Sequence, residues 1–152
     1  MARQSAGIVL YRWSSGALEV FLVHPGGPFW RNKDHHAWSI PKGEFSEGED
    51  AFQVALREFQ EETGQTIDGN FIPLKPIRQT GGKIVRAWAV EGDCDAENIT
   101  SNTFTIIHPP KSGQYKTFPE IDRASWFPIQ LAKEKIVKGQ IALLDELVNT
   151  VT

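Results

Sequence analysis

Apolar and polar positions change rhythm several times along the chain, and each change marks an element. Ser5 to Trp13 carries the run Ile8-Val9-Leu10-Tyr11, and Glu19 to His24 repeats the theme with Val20-Phe21-Leu22-Val23. Ser14, Ser15 and Gly16 lie between them, so the pair predicts two strands joined by a turn. Near-continuous apolar runs, in place of strict alternation, belong to strands covered on both faces. A sheet sandwiched between helices is expected.

Pro25-Gly26-Gly27-Pro28 breaks the second strand, and Ala37-Trp38-Ser39-Ile40 predicts a short one that ends at Pro41-Lys42-Gly43. The stretch Gly43 to Gln65 then takes a helical period. Phe52, Ala55, Leu56, Phe59 and Thr63 share one sector of the wheel, and Glu58, Glu61 and Glu62 share the adjacent one. Ser46, Glu47, Glu49 and Asp50 offer capping and early-turn acids, and Gly64 offers the stop. The unit reads as loop, helix, loop.

Beyond it, Pro73 and Pro76 reduce Phe71 to Arg78 to an edge or irregular strand, and Gly81-Gly82 turns the chain into a good strand, Lys83 to Val90. Glu91 to Asn98 is an acidic surface loop on composition. Thr103 to Ile107 is a β-branched strand, His108 to Gln114 is a loop able to fold over a ligand, and Phe118 to Phe127 ends in a short aromatic strand. Pro128 opens a helical stretch, and Gly139 divides it from a last helix whose Leu143, Leu144 and Leu147 belong to the core. Without repeats or linkers, the expected architecture is one α/β domain over residues 1–152, an α/β/α sandwich on a mixed sheet.

Composition narrows the function classes. A length of 152 residues, 40% hydrophobic and 23% charged, is ordinary for a globular domain with a sizeable core. A formal net charge of −3 gives no footprint for duplex nucleic acid or an anionic membrane, yet leaves a small phosphorylated ligand compatible. The single cysteine, Cys94, excludes an intramolecular disulfide, a cysteine zinc site and a dithiol motif. No apolar run approaches the roughly 18 residues of a membrane span, and the N-terminus has no signal-peptide pattern. A cytoplasmic location is expected.

The chemistry concentrates on the helix. Like charges three and four residues apart cost a few tenths of a kcal/mol per pair, so Glu58, Glu61 and Glu62 call for a compensating cation or stand as a solvated acidic face. All-oxygen carboxylate donors suit Mg²⁺ or Mn²⁺, and Mg²⁺ characteristically keeps several waters and binds substrate phosphates. The pattern therefore points to phosphate chemistry.

Gly43, Glu49, Arg57, Glu58, Phe59, Glu61, Glu62 and Gly64 occupy the fixed positions of a Gly-x5-Glu-x7-Arg-Glu-apolar-x-Glu-Glu-x-Gly-apolar pattern, and the stretch resembles the signature of the Nudix hydrolases. Only the last position departs, with Gln65 in place of an aliphatic residue and Ile67 close by. The lead-in Trp38-x-x-Pro41-Lys42-Gly43 is similar to that of many Nudix proteins, most of all the mutator-type and diadenosine polyphosphate hydrolases. The resemblance implies a Nudix fold and metal-dependent cleavage of a phosphoanhydride bond in a nucleoside diphosphate linked to another moiety. Such substrates include nucleoside triphosphates, oxidised nucleotides and dinucleoside polyphosphates.

It further implies Glu58, Glu61, Glu62 and the Gly43 carbonyl as ligands of Mg²⁺ or Mn²⁺, with Glu58 or Glu120 as proton acceptor. Arg57 joins the catalytic set, with orientation of the carboxylates as its fitting role. Lys42 is a phosphate-binding candidate. The loop holding Trp30 and Arg31 mixes aromatics with cations, which suits a base and a phosphate, and an ordinary packed rim loop fits it equally. Lys111, in the other long loop, completes the substrate-binding set. A non-catalytic nucleotide-binding module on the same fold is the rival reading.

Overall fold

The computed structural model describes residues 3–152. Its nine strands are β1 (Gln4–Ser14), β2 (Ala17–Pro25), β3 (Lys42–Phe45), β4 (Ile72–Pro73), β5 (Ile77–Arg78), β6 (Ile84–Glu91), β7 (Thr103–Ile107), β8 (Tyr115–Pro119) and β9 (Ile121–Pro128). The helices are α1 (Ala51–Thr63), α2 (Ile129–Lys135) and α3 (Ile141–Val151), with a 3-10 turn at Lys138–Gln140. Seven strands form the main sheet, in the path β4-β6-β1-β2-β9, with β3 added to β1 and β5 to β6. β1 and β6 run parallel while the other pairings are antiparallel, so the sheet is mixed as expected.

Side-chain alternation in β1 and β2 divides the core into two layers. Ile8, Leu10, Phe21 and Val23 point to the α1 side, where Val54, Ala55 and Phe59 meet them. Val9, Tyr11, Val20 and Leu22 point the other way and pack on Leu143, Leu144 and Leu147 of α3 and Ala132 of α2. Both faces are buried, which is why these strands lack a polar alternation. The fold is the expected α/β/α sandwich.

Two local expectations change. Ala37 to Ile40 makes only isolated bridges, Ser39 to Val23 and Trp38 to Ile136, and the strand begins after Pro41. β3 can lie alongside the start of β1 because Gly7 has no side chain; a Cβ there would stand 2.6 Å from the Pro41 carbonyl oxygen. The aromatic stretch Phe118 to Phe127 is likewise two strands, with Glu120 between β8 and β9. β8 pairs with β7 in a separate two-stranded ribbon whose tip holds His108 to Gln114.

Helix α1 is also turned from its expected orientation. The buried residues are Val54, Ala55, Phe59, Glu62 and Thr63, while Phe52 and Leu56 are half-buried at the edge of the contact. Phe52 packs edge-on against Phe71 and Trp88, ring centroids 5.0 and 5.3 Å away. Part of the acidic sector therefore faces inward. Asp50 alone caps the helix, its carboxylate accepting from the Gln53 N–H at 3.1 Å, and no acid occupies the first turn. Glu49 stays ahead of the cap, where it accepts from the Ser46 N–H at 2.7 Å.

Candidate active site

A cavity of about 530 Å³ lies where α1 meets the edge of the sheet at β3. α1 contributes Glu58, Glu61 and Glu62, β3 contributes Lys42 and Gly43, the turn before β6 contributes Lys83, and the β8–β9 junction contributes Glu120. Glu120 is fixed through its backbone. Its N–H donates to the Asn102 carbonyl at 2.8 Å, and its own carbonyl accepts from the Gly26 N–H at 2.7 Å.

Burial sets the electrostatics. Glu62 is only 6% exposed, and its desolvation, with the nearby Glu58 charge, pushes its pKa up to about 8. The Lys42 backbone N–H donates to Glu62 Oε1 at 3.3 Å, a partial compensation. Burial and then the neighbouring Glu61 charge also raise Glu58. Lys42 moves the other way, lowered by burial and by the charge of Lys83. Lys83 Nζ has Glu44 Oε2 at 4.0 Å.

Arg57 stands behind this cavity, off its wall. Its guanidinium nitrogens lie 3.5 Å from Glu49, 3.6 Å from Glu58 and 3.5 Å from Glu61, so one cation links the loop before the helix to two site carboxylates. That geometry suits orientation of the carboxylates, and Arg57 itself is not on the cavity wall.

The cavity brings together Lys42, Gly43, Glu58, Glu61, Glu62, Glu120 and Trp30 from the sequence-derived set. It does not bring Arg31 or Lys111. Arg31 is exposed beside Trp30, and Lys111 is exposed at the tip of the β7–β8 ribbon. In the aromatic loop it is Lys33 whose ammonium sits over Phe29, 3.9 Å from the ring centroid. Sequence reasoning missed Lys83, Gln79 and Asn102 on the wall. The one local hint was the Gly81-Gly82 turn, which returns the chain beside β1 with Lys83 at its end.

The donor set bears on whether a hard divalent cation fits. Five carboxylates, those of Glu44, Glu58, Glu61, Glu62 and Glu120, give oxygen donors only, and the Glu62 carboxylate is buried with no side-chain cation bonded to it among the described residues. Among the described residues no three His, Cys, Asp or Glu side chains converge tightly enough to enclose an ion. An ion held here would keep part of its shell as water or phosphate oxygen. Mg²⁺ does so by preference, and the residues fit it.

A family model for the NUDIX domain matches residues 1–147. The chain belongs to the NUDIX domain family. Among curated relatives, it is 39% identical over 66 residues to a bis(5'-nucleosyl)-tetraphosphatase (asymmetrical) of Caenorhabditis elegans, a match covering 43% of this chain and 44% of the relative. The chain thus matches less than half the length of that curated relative. Among solved structures, the C. elegans Ap4A hydrolase binary complex superposes with a TM-score of 0.66 at 22% identity, covering 99% of this chain and 98% of that one. The NUDIX domain of Shewanella oneidensis NrtR, crystallised with ADP ribose, gives 0.69 at 16% identity, covering 100% and 90%. At these identities the superpositions establish the shared NUDIX fold. No helix among the described residues is long and apolar enough to cross a membrane.

Proposed function

We propose that the chain is a divalent-metal-dependent hydrolase that directs water at a phosphoanhydride bond in a nucleoside diphosphate linked to another moiety. Candidate substrates are nucleoside triphosphates, oxidised nucleotides and dinucleoside polyphosphates. The observation that carries this reading is a single cavity shared by Glu58, Glu61, Glu62 and Glu120 with Lys42 and Lys83. Carboxylates and ammonium groups on one wall system can hold both a cation and the phosphates it binds. Membership of the family and the activity named for the C. elegans tetraphosphatase point the same way.

Glu58, Glu61, Glu62 and the Gly43 carbonyl would hold Mg²⁺ or Mn²⁺. Such an ion would supply neutralisation of phosphate charge and a lowered pKa for water bound to it. Lys42 and Lys83 act as point charges on phosphate oxygens, which orients the scissile bond and holds the charge that collects on the leaving group. Glu58 and Glu120 are the two wall carboxylates that can take the proton of the attacking water. Arg57 is a positioning residue for Glu58 and Glu61.

The test is chromatographic product analysis with Mg²⁺ and a panel of nucleoside triphosphates, oxidised nucleotides, dinucleoside polyphosphates and nucleotide sugars. Cleavage within a phosphoanhydride supports the reading and names the substrate class. No product from any member, with Mg²⁺ or Mn²⁺, would favour a nucleotide-binding role.

A further inference from the structure

A second cleft, of about 400 Å³, adjoins the carboxylate cavity and shares Pro25, Trp30 and Glu120 with it. One wall is the loop from Pro25 to Trp30, and the other is Phe104 and Ile106 of β7. The two walls are fitted to each other. A Cβ on Gly27 would stand 2.8 Å from Phe104 Cζ, so the tip of the ring abuts the loop backbone at Gly27. His24 fixes the loop from below, its Nδ1 2.8 Å from Asp122 Oδ1 and its Nε2 2.5 Å from the Lys33 carbonyl oxygen.

The chemistry of this cleft differs from that of its neighbour. Among the described residues, the Glu120 carboxylate and the Trp30 indole N–H are the only side-chain hydrogen-bonding groups on its wall, and both also line the carboxylate cavity. Phe29 is 70% exposed at the rim and meets Trp30 edge-on at 5.4 Å. Exposed aromatic surface beside a charged phosphate cavity fits a ligand with a flat apolar end and an anionic end. A nucleotide has that shape, and the volume falls within the range of small-ligand sites.

We propose that this cleft is the nucleobase subsite, that the base stacks on the face of Phe104 that lines the cleft beside the Pro25–Trp30 loop, and that Phe104 determines its affinity. The inference rests on the hydrolase reading above for the placement of the phosphates. The β7–β8 ribbon thereby gains a role, since it delivers Phe104 and, through the β8–β9 junction, Glu120 to one ligand.

The test separates base from phosphate. KM would be measured for the best nucleotide substrate and for 5-phosphoribosyl 1-diphosphate, which has the diphosphate and the sugar but no base, in wild type, Phe104→Ala and Phe104→His. Phe104→Ala is expected to raise the nucleotide KM roughly five- to a hundredfold, the effect of losing one base–aromatic stack. The base-free KM should stay unchanged, and Phe104→His, which keeps a flat ring without lengthening it towards Gly27, should raise the nucleotide KM less than Phe104→Ala. Equal rises for both substrates, or none for either, would overturn the proposal.

Calorimetry with nucleoside monophosphates and with ribose 5-phosphate covers the case in which nothing is turned over. Binding of the monophosphates alone, abolished in Phe104→Ala, upholds the subsite even where the hydrolase reading fails. Equal binding of both ligands, or monophosphate binding indifferent to Phe104→Ala, overturns it. Val137 lines the carboxylate cavity; monophosphate binding that is lost in Val137→Trp and indifferent to Phe104→Ala would put the base in that cavity instead and overturn the proposal.

Discussion

The carboxyl group of Glu58 lies directly against the backbone of Gly43: a Cβ on Gly43 would stand 2.0 Å from Glu58 Cδ and 2.2 Å from Oε1. Strand β3 and helix α1 thus meet at a glycine for steric reasons. In Gly43→Ala the cheapest relief is rotation of the Glu58 side chain, so the fold is expected to survive. We predict a fall in kcat of at least about tenfold, typical of a misplaced catalytic group, with a melting temperature close to wild type. Unchanged turnover would show that the Glu58 position does not matter.

Glu62 makes the metal-free protein sensitive to pH. Its folded pKa of about 8 stands above the ordinary value of 4.5, so the folded state binds this proton more tightly than the unfolded chain does. The associated stability is fully present below about 4.5 and is lost as pH rises through about 8. Melting temperatures in EDTA should therefore decline between about pH 5 and pH 9, and Glu62→Gln should flatten the decline. Mg²⁺ should raise the melting temperature more at the alkaline end, because the ion competes with that proton. A decline equally steep in Glu62→Gln would contradict this.

Lys83 should matter where Lys111 and Arg31 do not. Lys83→Met is expected to raise KM for a phosphorylated substrate roughly ten- to a hundredfold, the loss of one charge-assisted hydrogen bond. Lys111→Ala and Arg31→Ala, at exposed positions off the cavity wall, should leave kcat and KM near wild type. Steady-state kinetics on the three variants decides it. The reverse ranking would place the phosphates elsewhere.

The rotation of α1 has a stability counterpart. Phe59 is 0% exposed and packs on Phe21 with ring centroids 5.9 Å apart, so Phe59→Ala should cost about 3 to 5 kcal/mol. Leu56, half-buried at the edge, should cost clearly less on truncation. Denaturant unfolding of both variants measures the difference, and equal losses would refute the orientation described.

What the sequence disclosed follows from where the information sits. The α1 carboxylates, Gly43 and Gly64 are tied together by local spacing, and a helix converts such spacing directly into geometry. The sandwich was legible because β1 and β2 are apolar on both faces, which only a doubly covered strand tolerates. The rotation of α1 was not legible. A wheel ranks residues by hydrophobicity, whereas the buried face includes Glu62, kept there by the Lys42 N–H and the cavity. Lys83 and Phe104 were hidden for another reason, since they reach the site through the β1–β6 pairing and the β7–β8 ribbon. β8 itself, Tyr-Lys-Thr-Phe-Pro, has no apolar run because the ribbon leaves most of it in solvent.

The most direct test of the account is the initial rate on the best substrate of the panel, measured against free Mg²⁺ for wild type and for Glu61→Gln. Glu61 lines the cavity on the half-exposed side of α1, so its replacement should spare the fold. The account predicts phosphoanhydride cleavage that rises with Mg²⁺, vanishes in EDTA, and in Glu61→Gln is lost or demands far more Mg²⁺. Cleavage that persists in EDTA, or that Glu61→Gln performs with the wild-type Mg²⁺ dependence, would contradict it.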